Sequence, residues 1–265
     1  MKQLFHIGNQ DTNGANELLL LRLGEKHASY AFVDTNLNVA SELGYYSTAE
    51  WTKDELHALA FSLDLKIRTP QKVQVGLDHS TAFIAPANIS SAVMTAMHSF
   101  SSSEIILQEQ APGWQQINVF VIPQLLQHWV NEQFPDAGCV HQLTCMMKLV
   151  PSTSQQGTLI VDLREKEFQL LCGKKGQLLL SKEFPYENHE DVIYYLLQTC
   201  RQFELSQEDV ELKLSGLIDK GSVLFKELYQ YFIKVELRNP GWKLPDSDLP
   251  SHFFTSLNDL AACAS

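Results

Sequence analysis

The stretch GTLIVDLREKEFQLL, residues 157–171, decides the fold. Leu159, Ile160, Val161 and Leu163 form an apolar run interrupted only by Asp162. A short continuous run of this kind reads as a strand buried on both faces. A carboxylate at its end is costly unless it has a partner or a task. Working outward, 168–172 reads as a second strand, and Gly173-Lys174-Lys175-Gly176 as a hairpin turn whose glycines supply positive φ. A third strand follows at 177–184. Asn188 then caps a helix over 189–203, with Ile193, Leu196, Leu197, Cys200 and Phe203 at helical spacing. Strand 210–214, helix 222–232, strand 233–237 and a closing helix over 250–263 complete the series.

The same pattern opens the chain. RLGEK at 22–26 matches DLREK at 162–166, an offset of 140 that also carries Asp34-Thr35-Asn36 onto Lys174-Lys175-Gly176 and VGL at 75–77 onto SGL at 215–217. The shared offset reads as an internal duplication. Strands are expected at 18–23, 29–33 and 39–46. TKDE at 52–55 is a capping box opening a helix with Leu56, Leu59, Ala60 and Leu63 on one face, and a strand follows at 73–77. This half carries extra material: strand 81–85, a helix near 89–100, strand 104–108, strand 117–122, helix 123–134 and strand 139–148. PSTSQQG at 151–157 has no apolar residue and marks the boundary. Two domains are expected, 1–150 with the insertion and 151–265.

Composition excludes several classes. The 265 residues carry a formal charge of −11, and the pI is about 5.2. No basic stripe tracks phosphates, so neither nucleic acid nor an anionic membrane is an expected partner. Five widely spaced cysteines fit reduced thiols in a cytoplasmic chain. The first residues contain no apolar signal region, and no run is long enough to insert in a membrane.

Two halves that each open with a three-strand meander resemble the actin-like ATPase architecture, an α/β fold of two ribonuclease-H-like domains of mixed sheet and helices around a central cleft. The layout is similar to an uncharacterised bacterial family with this fold, and more distantly to the actin-like proteins of pilus assembly and type II secretion. LPSHFFTSLNDLAAC at 249–263 resembles the closing helix of that group, with Ser256-Leu257-Asn258 where Ala-Leu-Gly is usual. The resemblance implies a nucleotide site built on two Asp-x-Gly hairpins. Backbone N–H groups cradle phosphate there, glycine allows close approach, and the aspartate organises Mg²⁺. A third, glycine-rich turn sits against adenosine.

In this chain the first hairpin reads Arg22-Leu23-Gly24 and the second Asp162-Leu163-Arg164. Each has lost the half that the other keeps. The adenosine-side turn survives as Ser215-Gly216 with Gly221 beyond it. Arg22 reverses the charge where Mg²⁺ would be organised, and Arg164 puts a side chain where phosphate would approach. The resemblance therefore implies a degenerate cleft, absent or very slow hydrolysis, no required cofactor, and an interaction or scaffolding role with a protein partner. The alternative is a divergent ATP-binding protein or slow ATPase. It would use Asp162 for the metal, the turn of Ser215, Gly216 and Gly221, and Arg22, Gly24 or Arg164 at the phosphates, since arginine itself binds phosphate. A ribonuclease-H-like nuclease needs several carboxylates around two metals, and the acidic chain argues against it.

Three readings of Asp162 stand side by side: an ion pair with Arg22 across the cleft, a role in nucleotide or metal binding, and exposure at the strand end. Arg164 with Glu165-Lys166 reads as a solvated hairpin. Cys139, His141 and Cys145 share a strand face and offer three zinc donors without a fourth, so the edge of a core is expected there. Asp78 and His79 read as turn residues. Tyr194, Tyr195, Tyr229 and Tyr231 read as core aromatics, with a partner-binding face as the other option.

Overall fold

The structure is a computed structural model that describes residues 1–8, 16–65, 68–89, 101–111, 113, 115–150, 154–244 and 248–263. The expected helix near 89–100 lies outside the described residues beyond Ile89. The chain divides into two compact units. Unit 1 is Met1–Cys145 with Gly241–Asp248 and Leu257–Ser265; unit 2 is Met146–Pro240 with Leu249–Ser256.

Unit 1 holds a six-stranded sheet in the order β1-β4-β3-β2-β5-β9. Its strands are β1 (Lys2–Gly8), β2 (Glu17–Gly24), β3 (His27–Asp34), β4 (Val39–Ser47), β5 (Lys72–Asp78) and β9 (Gly138–His141). A second sheet of the order β6-β8-β7 is formed by β6 (Ala82–Pro86), β7 (Glu104–Gln110) and β8 (Gln116–Pro123). Helix α1 (Lys53–Ser62) starts where Thr52 Oγ1 accepts the Glu55 N–H at 3.2 Å. The Glu55 carboxylate meets the Met1 amino group. Helix α2 (Gln124–Gln133) follows β8. Leu19, Leu21 and Leu23 of β2 alternate into a core with Tyr30, Phe32, Leu56, Leu59, Leu126 and Trp129. Leu18, Leu20 and Arg22 of the opposite face are buried as well, so β2 is covered on both sides.

Unit 2 holds a five-stranded sheet in the order β12-β11-β10-β13-β14. Its strands are β10 (Thr158–Leu163), β11 (Glu167–Lys174), β12 (Gln177–Pro185), β13 (Glu211–Gly216) and β14 (Lys234–Leu237). Helices α4 (His189–Gln202) and α5 (Val223–Tyr231) pack with Leu159, Val161, Leu163, Leu170, Leu212 and Leu214. Asn188 and Asp191 form a reciprocal capping box at the start of α4. The meander and the two strands parallel to its first member have the same order in both sheets.

Three readings need correction. Residues 139–148 are not one strand. β9 stops at His141, opposite Leu77 near the end of β5, and helix α3 (Gln142–Met147) begins where His141 Nδ1 accepts the Leu143 N–H at 3.2 Å. The closing helix is split into a 3-10 turn at Ser251–Phe254 and helix α6 at Thr255–Ala261. The 140-residue offset holds for the first hairpins, where Arg22 faces Ser29 and Asp162 faces Gln169. It slips by one at the next strand, since Arg22 lies beside Gly76 whereas Asp162 lies beside Ser215 rather than Gly216.

Candidate functional site: two hairpins closed by their own side chains

In unit 1 the β2–β3 hairpin turns over Glu25-Lys26. Arg22 is on the strand face away from the leucine core and is only 2% exposed. Its Nε and Nη2 reach Asp78 Oδ2 at 2.7 and 2.6 Å. His27 Nε2 lies 3.3 Å from the same oxygen. Gly24, the retained glycine of the hairpin, faces this ring directly. A Cβ built on Gly24 would stand 2.1 Å from His27 Cε1. The opening that glycine keeps for a phosphate in an Asp-x-Gly hairpin is thus filled here by imidazole. The cation that Arg22 brings is matched by Asp78, which the sequence reading had left as a turn residue and which is buried.

In unit 2 the β10–β11 hairpin turns over Glu165-Lys166, with Arg164 N–H donating to Glu167 O at 2.8 Å. Arg164 is not solvated: it is 2% exposed. Its guanidinium meets the Glu183 carboxylate and lies 3.4 Å from Glu167 Oε1. Tyr186 donates its hydroxyl proton to the Arg164 carbonyl at 2.5 Å, which pins the turn from the third strand side. Cross-strand register supplies these partners, because β12 brings Glu183 beside Gln169 of β11. Asp162 is buried, so exposure at the strand end is excluded. Its Oδ1 accepts from Ser215 Oγ at 2.9 Å.

The third turn also has local occupations. Gly216 takes φ +82, and a Cβ there would stand 2.0 Å from Leu163 O. The glycine is therefore required by its contact with the end of β10 before any ligand is considered. Gly221 N–H donates to Asp219 Oδ1 at 2.5 Å, and Ser222 caps α5 by accepting the Phe225 N–H at 3.2 Å. His252 is buried and its Nε2 donates to Ile218 O at 2.6 Å, a bond that fixes the proton on that nitrogen. Burial holds the imidazole below its ordinary pKa.

The remaining candidates separate. Cys139 is exposed on β9, while Cys145 is buried in α3, so the face expected to unite them does not exist. His141 is committed to the Leu143 N–H and to His79 O at 3.1 Å. Among the described residues no group of three or more His, Cys, Asp or Glu side chains has the arrangement of a metal site. Tyr195 packs on Phe184 with centroids 4.3 Å apart, but Tyr194, Tyr229 and Tyr231 are exposed, against the expectation of core packing.

Each hairpin differs from the Asp-x-Gly pattern in what lies at its glycine position. One hairpin has an imidazole over its glycine, and the other has a buried arginine in its place. Sequence reading found Arg22 and Arg164 as departures from the motif but missed His27, Glu183 and His252. The available signal for the first two was register: His27 is opposite Gly24, and Glu183 is on the neighbouring strand.

The fold and this geometry can be set beside known proteins. A family model described as "Protein of unknown function (DUF3822)" matches residues 9–235. A Bacteroides thetaiotaomicron protein with an actin-like ATPase fold and unknown function aligns over 93% of this chain and 96% of its own, at 20% identity and a TM-score of 0.72. The PilM-PilN type IV pilus biogenesis complex aligns over 95% of this chain and 99% of that one, at 15% identity and a TM-score of 0.61. The cytoplasmic domain of EpsL, an inner membrane component of the Vibrio cholerae type II secretion system, aligns over 94% and 96%, at 13% identity and a TM-score of 0.45. No curated protein matches the sequence. The actin-like ATPase fold expected from the two meanders is the fold of the chain.

Proposed function

Given that the chain belongs to the DUF3822 family and has an actin-like ATPase fold, we propose that it is an interaction or scaffolding module and not a nucleotide-hydrolysing enzyme. The observation that carries this reading is the imidazole of His27 over Gly24, with Arg22 neutralised by Asp78 beside it. The Arg164–Glu183 pair supports it from the other hairpin. PilM, which shares the fold, was solved in a complex with PilN, a precedent for the fold within a protein assembly. The same strand order in both units and the Glu-Lys turn in both hairpins support an origin by internal duplication. Among the described residues no helix is long and apolar enough to cross a membrane.

The test is ATP turnover and thermal unfolding with Mg-ATP. A ligand at a hundred times its dissociation constant stabilises by about 2.7 kcal/mol. For a protein of this size that moves the melting temperature by about 5 °C. The expected outcome is turnover at the level of a buffer blank and no such shift. Mg²⁺-dependent hydrolysis abolished by Asp162→Ala would sink the proposal. A shift that Asp162→Ala removes, without hydrolysis, would establish the divergent ATP-binding reading in its place.

A further inference from the structure

β4 and β12 are the third strands of the two meanders, each antiparallel to the second strand. In unit 1 the outer side of β4 is covered by β1, which pairs with it antiparallel, and six of the nine β4 residues are buried. In unit 2 β12 is the last strand of its sheet, and none of its nine residues is fully buried. Among the described residues no strand lies on its outer side. An uncovered edge presents a row of backbone donors and acceptors that template a further strand.

The other edge strands of the two meander sheets are shorter than β12. β9 and β14, the opposite ends of the two sheets, have four residues each. β1 carries a bulge between Gln3 and Phe5. β12 has its irregularity at one end, opposite Cys172 and Gly173, which leaves Leu180 to Pro185 in continuous register with β11. Leu178, Leu179 and Leu180 are half-buried, so apolar surface accompanies the open backbone.

The charge of the edge selects its occupant. Lys182 is exposed in mid-strand, and Lys175 is exposed in the adjoining turn. The nearby Glu183 carboxylate is taken up by Arg164. The exposed charges of the strand and its turn are thus those of Lys182 and Lys175, in a chain of formal charge −11. A second copy would set this lysine-bearing edge against itself, whereas an acidic segment would be attracted to it.

We infer that the outer edge of β12 is a docking site that takes an extended, acidic segment of a partner protein as an added strand, as β4 takes β1. The inference gives the interaction role a surface, and it rests on that reading only in supposing a protein partner. Its test reads the edge, whereas nucleotide turnover reads the hairpins, so either can fail alone.

The probes are synthetic eight-residue peptides: alternating Val and Glu, alternating Val and Lys, and the Val–Glu peptide with a central proline. Binding to the full chain is read by fluorescence anisotropy, and hydrogen–deuterium exchange is followed over residues 177–185. The Val–Glu peptide is expected to slow exchange there. The Val–Lys peptide should bind at least about tenfold more weakly, and the proline peptide should not bind. Successive N–H groups of an edge strand alternate inward and outward, so only one of Ser181→Pro and Lys182→Pro removes an outward donor. That variant should keep the melting temperature and lose the peptide, while the other loses a bond to β11 and melts earlier. No protection by any peptide, or equal binding by both proline variants, overturns the inference. A protein that is already dimeric with β12 protected also overturns it, by assigning the edge to a second copy.

Discussion

At the residue scale, the decisive fact is that Arg22 has an internal partner. A buried guanidinium and carboxylate form a stable arrangement only while both remain, because removing one leaves the other desolvated and uncompensated. Arg22→Met should therefore cost about 3–5 kcal/mol in urea unfolding, and Arg22→Met combined with Asp78→Leu should cost clearly less than the sum of the single changes. A single-variant cost below about 1 kcal/mol would mean that the pair contributes no more than an exposed ion pair. The sequence displayed Arg22 as a departure from the Asp-x-Gly pattern. It did not display Asp78 as the partner, because 56 residues separate them and only the parallel pairing of β2 with β5 brings them together. His27 was hidden for a related reason. A side chain facing its cross-strand neighbour is a property of register, and register is not a local signal.

At the element scale, the strands and helices with strong local patterns were legible. The capped helix α4 and the apolar strand β10 follow from side-chain periodicity and from Asn188 alone. β1 was not recognised, because a short strand at the chain start gains its stability from β4 rather than from its own pattern. The break after His141 was missed because QLTCMM is apolar enough for either element, and it is the imidazole that caps the turn into α3. In the β11–β12 hairpin the glycines were expected to supply positive φ. Gly176 does, at +71, but the other left-handed position is Lys175, at +53, while Gly173 belongs to β11. Two consecutive residues of positive φ match a two-residue turn that prefers Asn-Gly. A lysine there carries a steric cost that asparagine largely avoids. Lys175→Asn should thus stabilise the protein by up to about 1 kcal/mol, read as a higher melting temperature. An unchanged or lower melting temperature would mean that the lysine side chain contributes more than its backbone strain costs.

At the scale of the whole molecule, two clusters of buried apolar side chains stand out among the described residues, one in each unit. The unit 1 core draws on residues from Leu19 to Phe134, and the unit 2 core on residues from Leu159 to Phe232, with no residue in common. Among the described residues the tryptophans are Trp51, Trp129 and Trp242, and all three fall within unit 1. Fluorescence therefore follows unit 1, while far-ultraviolet circular dichroism follows both. Leu196 is fully buried in α4 against the unit 2 core. Leu196→Ala removes its packing and leaves a cavity, at a cost of about 2–5 kcal/mol. Because the deleted atoms belong to one core only, the loss should appear in unit 2 first. Urea titration should show an early partial loss of the dichroism signal, with the tryptophan transition near its wild-type midpoint. If both signals shift together by the same amount, the two cores unfold as one cooperative structure, and the separation of their residue lists has no energetic counterpart.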